Sequence, residues 1–349
     1  MTKAAMGASQ QSSLQGPQQP SLTVPQQPLL QVPLQVPLQL GPQAPQAPQQ
    51  PLADRLQRAG YLADEGLATT LWLAGELQRP LLVEGDAGVG KTALATALAR
   101  ADGRRLVRLQ CYEGLDLSQA AYEWNYGRQL LAIRLHETQP GPPADKLHET
   151  DLFSRDYLLE RPLLQALTSE QPCVLLIDEI DRADEAFEAF LLEVLADYQI
   201  TVPELGTLRA RQVPQVLLTS NGSRELSDAL RRRCLYHWLD YPTLAREMAI
   251  VRATLPEVEG ALVEQAVAFV QRLRRDDLAK IPGIAETLDW IRALHRLGMA
   301  ALPDDPALLL ASLGCLLKTR DDRFQLDAVR LRQLIEGRRV VGVAEKAGA

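Results

Sequence analysis

The feature that most constrains this chain is the run GDAGVGKT, which follows a short apolar segment, residues 80–84, and precedes a helical pattern over residues 91–101. A strand, a glycine-rich turn and a helix in this order form the setting in which GxxxxGK(S/T) binds phosphate. Glycines let backbone N–H groups turn inward around phosphate oxygens, and the start of the helix adds a positive dipole end. The predicted phosphate-binding residues are Gly85, Asp86, Ala87, Gly88, Val89, Gly90, Lys91 and Thr92.

Four polar side chains in or near this loop are candidates for binding phosphate, binding Mg²⁺ and activating water. Lys91 is expected to reach the β- and γ-phosphates of ATP, and the Thr92 hydroxyl to ligate Mg²⁺. Asp178 and Glu179 follow the apolar run 173–177, at the carboxyl tip of a predicted strand, where α/β proteins bind their ligands. Asp178 is suited to Mg²⁺, directly or from the second coordination sphere, and Glu179 to orienting an attacking water as a general base.

Asn221 and three consecutive arginines complete the candidate site. Asn221 ends another apolar strand and is expected near the γ-phosphate, where it would help to position water; the alternative is a simple Asn-Gly turn. Arg231, Arg232 and Arg233 end a helical pattern over residues 225–232, where cations stabilise a helix by themselves. The functional alternative is a guanidinium presented to the γ-phosphate of a neighbouring subunit. Because this helix begins soon after Asn221, we expect Asn221 and Arg233 near one edge of the nucleotide face.

Short apolar runs alternate with helical patterns through the first part of the chain. This alternation predicts an α/β fold with a mostly parallel sheet covered on both faces. The runs are 80–84, 105–109, 173–177, 215–219 and 235–239, and the helical patterns are 52–78 with a break near Gly60, 91–101, 118–135, 156–169 and 183–197. Beyond Pro242 only helical patterns remain, at 243–254, 258–275, 284–297, 305–318 and 325–337. We therefore predict an α/β domain over 52–241, a helical lid domain over 242–337 and a short tail over 338–349.

The first 51 residues differ in composition from the rest of the chain. They contain 10 prolines, 14 glutamines and a single charge, Lys3. Such a segment is typical of a disordered tail that samples polyproline II and coil, either as a linker or as a docking tail for a partner's aromatic groove. The whole chain carries 44 acidic against 37 basic residues, a balance that disfavours nucleic acid as a partner. Lacking a long apolar run or a signal-peptide core, the sequence predicts a cytoplasmic protein without a transmembrane segment.

Together these residues resemble the AAA+ ATPases, a group of P-loop NTPases, over about residues 52–337. Asn221 falls at the family's sensor 1 position and Arg233 at its arginine-finger position. The string LLEVLADYQITVPELGTLRARQVPQVLLTSN is similar to the helix, hairpin and sensor strand of the MoxR branch. The strings YEGLDLSQAAYEWNYGRQLLAIR and RPLLQAL are similar to the CoxD-type ATPases of that branch, which are encoded with carbon monoxide dehydrogenase.

The resemblance implies a hexameric ring with ATP bound between subunits. It also implies a partner with a von Willebrand A domain, and chaperone-like maturation of a metalloenzyme such as a molybdenum-containing hydroxylase. One position departs from the family pattern: where a sensor 2 arginine is expected at a helix start, the chain has Glu286 and Thr287, and Arg292 follows a turn later. Slow or partner-dependent hydrolysis is therefore expected, and a nucleotide-gated ring scaffold is the alternative function.

Aromatic residues after the second predicted strand are further candidates for contact with a partner. The family resemblance places Tyr112 and Leu115 near the central pore of a ring, where they would grip a polypeptide; the alternative is local packing of Tyr112. Tyr122, Trp124 and Tyr126 fall in the predicted helix 118–135, and the helical period places them on two of its faces. Some of them are therefore candidates for contact with a partner, and core packing is the more common alternative.

Overall fold

The computed structural model describes residues 52–138, 149–303 and 305–336. Both predicted tails, 1–51 and 338–349, lie outside the described residues. By its contacts the chain separates into two units, Met1–Gln49 and Gln50–Ala349, and all described residues belong to the second. In this described part, no helix combines the length and apolarity needed to cross a membrane.

Nine strands are formed within the described residues. They are β1 (Leu81–Glu84), β2 (Arg105–Gln110), β3 (Tyr122–Trp124), β4 (Leu158–Glu160), β5 (Cys173–Asp178), β6 (Gln199–Val202), β7 (Gly206–Arg209), β8 (Gln215–Ser220) and β9 (Leu235–Trp238). Five of them form one sheet in the order β2-β5-β8-β1-β9, and every neighbouring pair in it is parallel. The predicted parallel sheet is confirmed.

Fifteen α-helices are formed in the same described ranges. They are α1 (Leu52–Arg58), α2 (Glu65–Glu76), α3 (Lys91–Ala101), α4 (Leu117–Ala120), α5 (Tyr126–Thr138), α6 (Glu149–Leu152), α7 (Pro162–Thr168), α8 (Glu185–Asp197), α9 (Asp228–Arg233), α10 (Leu244–Thr254), α11 (Gly260–Leu273), α12 (Ile284–Arg296), α13 (Pro306–Ser312), α14 (Arg320–Phe324) and α15 (Ala328–Glu336). Short 3₁₀ turns lie at Arg155–Tyr157, Ile180–Arg182 and Leu313–Cys315.

Successive residues of the sheet strands enter two different cores. Leu175 and Ile177 of β5 pack in one cluster with α7 and α8, whereas Val174 and Leu176 pack in another with α1, α2 and α3. Because side chains alternate across a strand, a strand covered on both faces must be apolar at nearly every position. This double covering explains why the central strands β1, β5 and β8 were visible in the sequence as continuous apolar runs.

Two predicted helices are wrong in part. The segment 118–135 contains α4, β3 and the start of α5, and the segment 156–169 contains a 3₁₀ turn, β4 and α7. β3 pairs antiparallel with β4, and Trp124 packs edge-on against Phe153 at 5.2 Å between ring centroids. Tyr122 and Trp124 are therefore two apart on one strand and share a face, rather than lying on two faces of a helix.

From α10 onward the described residues contain only helices, as predicted. We refer to α10–α15 as the helical segment. It has an apolar cluster of its own, in which the rings of Phe269 and Trp290 lie 5.1 Å apart. The predicted pattern 305–318 is α13 with a 3₁₀ turn, and α14 and α15 are separate short helices. The division of the chain at residues 241 and 242 stays a prediction.

Candidate active site

The predicted phosphate loop connects β1 to α3. Gly88 and Gly90 have φ angles of 81° and 103°, a left-handed conformation that glycine adopts without a steric penalty. No side chain in the described part of the chain caps the start of α3, so its first backbone N–H groups keep their capacity to bind an anion. The Lys91 ammonium lies inside the loop and donates to the carbonyls of Gly85 and Asp86, at 2.6 and 2.7 Å. Its burial lowers its pKa below the ordinary lysine value.

Directly below the loop, Thr92 meets Asp178, the last residue of β5. The Thr92 hydroxyl donates to both carboxylate oxygens of Asp178, at 3.1 and 3.2 Å. The Thr219 hydroxyl donates to Oδ1 of Asp178 at 2.5 Å and accepts the backbone N–H of Glu179 at 2.9 Å. Arg108 donates to Oδ2 at 2.6 Å. Asp178 is only 2% exposed, so these contacts define its position closely.

The donor atoms at this junction fit Mg²⁺. The Thr92 hydroxyl and the Asp178 carboxylate place hard oxygen donors side by side, which is the ligand type that Mg²⁺ prefers. Within the described ranges no group of three histidine, cysteine or acidic side chains could hold a metal alone. One or two protein oxygens completed by phosphate and water is the usual arrangement for Mg²⁺ at a nucleotide.

Glu179 follows Asp178 in a left-handed conformation, with φ of 56°. This conformation is uncommon for a residue other than glycine and is found often at functional sites. Its Oε2 accepts a hydrogen bond from Gln110 at 3.0 Å and pairs with Arg182 at 3.1 Å. Gln110 ends β2, next to β5 in the sheet. Both contacts use one carboxylate oxygen, which leaves Oε1 as the oxygen suited to accept a proton.

Asn221 lies directly after β8 and lines the same cleft as Lys91 and Glu179. Its loop is held by Asp181, whose Oδ2 accepts the backbone N–H and the hydroxyl of Ser223 at 3.0 and 2.6 Å. Burial acts to raise the pKa of Asp181, but these hydrogen bonds outweigh it and lower the pKa. Asp184 caps α8 by accepting the Phe187 N–H at 2.8 Å.

The cleft has a volume of about 510 Å³ and lies between the carboxyl edge of the sheet and the helical segment. Beyond the loop its wall is mostly apolar, which suits a nucleotide base; the lining side chains there include Tyr61, Leu62, Leu239, Ile250 and Leu288. Arg246 of α10 also lines this end, where it pairs with Asp64 at 2.7 Å and donates to the Leu62 carbonyl at 2.9 Å.

Helix α12, at the sensor 2 position, contributes no arginine to the cleft. The structure describes this helix in full, and its residues that line the cleft are Ile284, Ala285 and Leu288. Arg292 pairs instead with Asp289, at 2.9 Å. The departure from the family pattern seen in the sequence is therefore present in the structure.

Arg233 and Asn221 do not lie near one edge, so that expectation is wrong. Asn221 follows the carboxyl end of β8, whereas Arg233 precedes β9, whose first residue, Leu235, pairs with Leu81 at the start of the parallel strand β1. The Arg233 carbonyl accepts a hydrogen bond from Arg79, which precedes β1. The expectation failed because β9 is parallel to β1. The turn before α9 and α9 itself must therefore return the chain to the amino edge of the sheet, where β9 begins.

The three arginines of α9 differ in their partners. Arg231 lies 3.8 Å from Glu84, and Arg232 lies 4.0 Å from Asp228. The Arg233 side chain is exposed and has no hydrogen-bond or ion-pair partner among the residues that the structure describes. Arg232 and Arg233 are thus both accessible to another molecule, and the Arg232 side chain is 84% exposed.

The two residues proposed to grip a polypeptide are not both accessible. Leu115 is 4% exposed and belongs to the core on the α7 and α8 side of the sheet, so the expectation for it is wrong. Tyr112 is 43% exposed, and its hydroxyl donates to Gln119 at 2.7 Å. This local contact matches the alternative stated for Tyr112.

Sequence reasoning missed Thr219, Gln110, Asp181 and Arg246 as members of the site. Thr219 carried a visible signal, because a polar side chain at the carboxyl end of an otherwise apolar strand is unusual there. Gln110 likewise ends an apolar strand. Arg246 carried no such signal, since it lies in the first turn of a helix and meets Asp64 from a distant part of the chain.

Comparison with known proteins agrees with this geometry. Residues 72–205 match the family model described as the AAA ATPase domain. The matched range includes the phosphate loop, Asp178 and Glu179, so this part of the chain is similar to AAA ATPase domains. With its phosphate loop and all-parallel sheet, the α/β part has a P-loop NTPase fold.

Curated relatives match parts of the chain. Gas vesicle ATPase GvpN of Haloferax mediterranei is 28% identical over 212 residues, which are 58% of this chain and 58% of GvpN. Midasin of Giardia intestinalis is 56% identical over 66 residues, which are 16% of this chain and 1% of midasin. The chain spans about three fifths of the length of the GvpN relatives that it matches. Among solved structures, the Thermotoga maritima RuvB Holliday junction branch migration motor has a TM-score of 0.41 and 18% identity, covering 79% of this chain and 72% of RuvB.

Proposed function

We propose that this chain binds ATP with Mg²⁺ in the cleft and hydrolyses it to ADP and phosphate. The observation that carries the proposal is the junction of Thr92 and Asp178 beneath the phosphate loop, with Glu179 as the next residue. Thr92 and Asp178 would hold the Mg²⁺, which supplies positive charge at the phosphates when bound. The AAA ATPase domain match and the ATPase name of the GvpN relatives support this activity.

Each side chain has a role in this proposal. Lys91 and the N–H groups of the loop bind the phosphates, and Asn221 positions the attacking water. Oε1 of Glu179 accepts the proton of that water, while Gln110 and Arg182 hold Oε2 and orient the carboxylate. Asp181 acts indirectly, by fixing the loop that carries Asn221.

Arg233 is proposed to act on the nucleotide of a neighbouring subunit. Its backbone lies at the edge of the sheet opposite its own phosphate loop, and its side chain is exposed. A homo-oligomer, as in the ring hexamers implied by the family resemblance, would bring this guanidinium to the next subunit's γ-phosphate, where developing negative charge needs stabilising.

The proposed biological role is MoxR-type remodelling in the cytoplasm. The long strings similar to the CoxD-type ATPases support maturation of a metalloenzyme client, with a molybdenum-containing hydroxylase as the leading candidate. A von Willebrand A domain protein is the proposed partner, and the acidic balance of the chain argues against nucleic acid.

A nucleotide-gated ring scaffold is the second candidate. It is favoured by the arrangement of α12, which sends no arginine into the cleft. In such a scaffold ATP binding would drive assembly, and hydrolysis would be only a slow timer. Steady-state phosphate release distinguishes the remodelling ATPase from the scaffold. A scaffold binds ATP tightly but releases phosphate at a rate close to that of its Glu179→Gln variant, whereas a remodelling ATPase releases phosphate much faster than that variant.

The direct test of ATP hydrolysis is phosphate release by the parent chain and Glu179→Gln, measured with ATP and Mg²⁺. The amide cannot accept a proton, so we expect hydrolysis to fall by about 100-fold or more while ATP remains bound. Glu257→Gln, at an exposed position away from the cleft, is the matched control and should keep the parent's rate. Equal turnover by Glu179→Gln and the parent would remove Glu179 from the mechanism.

A further inference from the structure

We propose that the helical segment, together with Tyr241 just before it, positions the phosphate loop for nucleotide binding through direct contacts with the loop's own carbonyl groups. The positioning residues are Tyr241, Arg274 and Gly283, and none of them needs to touch the nucleotide. The proposal rests on the proposed nucleotide function of the cleft. It assigns to the helical segment a way of acting on the site that requires no arginine from α12.

The first contact joins two glycines. A Cβ on Gly283 would lie 2.6 Å from the Gly88 Cα and 2.7 Å from the Gly88 carbonyl oxygen, closer than a side-chain carbon can approach. The next residue, Ile284, donates its backbone N–H to the same Gly88 carbonyl at 2.9 Å. The start of α12 and the middle of the phosphate loop therefore meet backbone to backbone, and this approach requires glycine at both positions.

The second contact is made by Tyr241, just before the helical segment. Its hydroxyl donates to the Ala87 carbonyl at 3.1 Å. Burial raises the pKa of Tyr241 above the ordinary tyrosine value, so the hydroxyl remains protonated and able to donate at physiological pH. Two consecutive carbonyls of the loop, those of Ala87 and Gly88, are thus held from the same side of the cleft.

Arg274 connects the two contacts. Its guanidinium lies 4.9 Å from the centre of the Tyr241 ring, and its Nε donates to the Pro282 carbonyl, next to Gly283, at 2.8 Å. The remaining nitrogens form a two-point pair with the fully buried Glu247, at 2.7 and 2.6 Å. A bidentate arginine–carboxylate pair has a defined geometry, so this one guanidinium fixes both elements that reach the loop.

The contacts that hold the Ala87 and Gly88 carbonyls also orient the backbone N–H groups of the phosphate loop. The peptide bond is planar and trans, so a carbonyl and the N–H of the following residue point in opposite directions. With the Ala87 and Gly88 carbonyls directed at Tyr241 and Ile284, the N–H groups of Gly88 and Val89 point away from those contacts. These are two of the amides that a phosphate loop presents to its ligand, so the contacts preorganise the loop before ATP arrives.

The test compares two alanine substitutions. Gly283 has φ of −83°, which alanine also adopts, so Gly283→Ala introduces no backbone strain of its own. The added Cβ would collide with the Gly88 backbone and would also lie 2.9 Å from Oε2 of Glu286, the far end of a side chain that can move. Gly314→Ala is the matched control, because a Cβ there meets nothing within 4 Å. We expect Gly283→Ala to weaken ATP binding about tenfold, through a raised KM with kcat little changed, and Gly314→Ala to bind as the parent does.

Hydrogen exchange of the loop amides, read without nucleotide, separates positioning from general destabilisation. Residues 86–90 should exchange faster in Gly283→Ala, while the amides of β5 exchange as in the parent. Tyr241→Phe removes one hydroxyl, and should accelerate exchange of the same amides even if Gly283→Ala folds poorly. Tyr126→Phe, at a site 61% exposed, is its control and should leave loop exchange unchanged.

The outcomes are distinct. Parent-like loop exchange in both Gly283→Ala and Tyr241→Phe, with parent-like ATP affinity in the variant that folds, would overturn the proposal. Faster exchange across the whole chain would also overturn it, because that pattern indicates loss of stability rather than loss of positioning. A parent protein that binds no ATP would instead refute the proposed function, and the exchange measurement would still report on the contacts.

Discussion

The two walls of the cleft are built in different ways. On the sheet wall, Lys91, Asp178 and Glu179 each make short polar contacts that fix a charged group beside the phosphate loop. On the helical wall the lining is apolar, and the cation that lines it, Arg246, is already paired with Asp64. The sheet wall thus supplies the groups for chemistry, while the helical wall supplies shape and support for the loop.

The difference follows from how each wall is assembled. Parallel strands end at one edge, so residues far apart in sequence converge there without needing any helix to be placed accurately. The helical wall depends on how α10 and α12 pack, and its contacts to the loop use backbone atoms. Substitutions of the charged groups on the sheet wall should therefore abolish individual steps, whereas substitutions of their uncharged supports or of the helical wall should only tune them.

The largest effect is expected for Lys91→Ala, which removes the central charge of the sheet wall. ATP affinity should fall by at least about 100-fold, because charge-assisted contacts to the phosphates are lost and no other lysine among the described residues lines the cleft. Isothermal calorimetry measures this directly. Lys318→Ala is the control, since that ammonium only approaches the Gly314 carbonyl at 3.4 Å. Unchanged affinity for Lys91→Ala would show that the loop is not the phosphate site.

Arg233→Ala should spare ATP binding and abolish hydrolysis. The reason is that the guanidinium acts on transition-state charge in the neighbouring subunit. Mixing Arg233→Ala with Lys91→Ala tests this, because some mixed interfaces combine an intact loop with an intact Arg233 and should recover part of the activity. No recovery despite demonstrated subunit mixing would count against action between subunits, and full activity of Arg233→Ala alone would move the role to Arg231 or Arg232.

The contrast between the walls also explains what the sequence could reveal. The sheet strands and the phosphate loop were predictable because double burial and phosphate binding each demand a local pattern. The β3–β4 pair was not predictable, because its paired residues lie more than 30 positions apart in the sequence. Its stabilising contact between Trp124 and Phe153 also produces no regular hydrophobic pattern. For the same reason the Arg246–Asp64 pair, formed across 182 residues, left no trace in the sequence pattern.

The failure of the expectation for Arg233 has a related cause. The order Asn221, helix, Arg233 was read correctly from the sequence, but the direction in which the helix carries the chain was not readable. Because β9 is parallel to β1, the chain must return to the amino edge of the sheet before β9 begins, and α9 together with the turn before it makes that return. The parallel direction of β9, rather than the spacing between Asn221 and Arg233 in the sequence, therefore determines that Arg233 lies at the amino edge of the sheet.

A smaller effect on the sheet wall is expected for Thr219→Val. Valine keeps the shape of threonine but removes the hydroxyl that joins Asp178 to the Glu179 amide. Hydrolysis should slow by about tenfold, the equivalent of roughly one buried hydrogen bond, with Thr219→Ser close to the parent. Thr201→Val, at an exposed hairpin position, is the control. If Thr219→Val and Thr219→Ser hydrolyse ATP at the same rate, the hydroxyl does not organise the acidic pair.

The smallest effect is expected from His237, on β9 near the contact between the two walls. Burial, with a further contribution from Arg246, holds the pKa of His237 below 6.5, against the opposing charges of Asp64 and Asp240. Because the pKa is depressed in the folded state, the unfolded chain takes up the proton first. Stability is therefore complete above the unfolded value and is lost as pH falls below about 6.5.

Chemical denaturation at pH 7.5 and pH 5.5 would reveal this loss. The parent should lose more stability between the two values than His237→Gln, which has no proton to take up. Carboxylates that titrate in the same range contribute to both proteins, so the difference between the two losses isolates His237. If both proteins lose the same stability, the imidazole titrates alike in the folded and unfolded chain. The two walls of the cleft would then be open to water where they meet at β9. In that case the helical wall would not be a closed apolar surface, and the contrast with the charged sheet wall would be weaker.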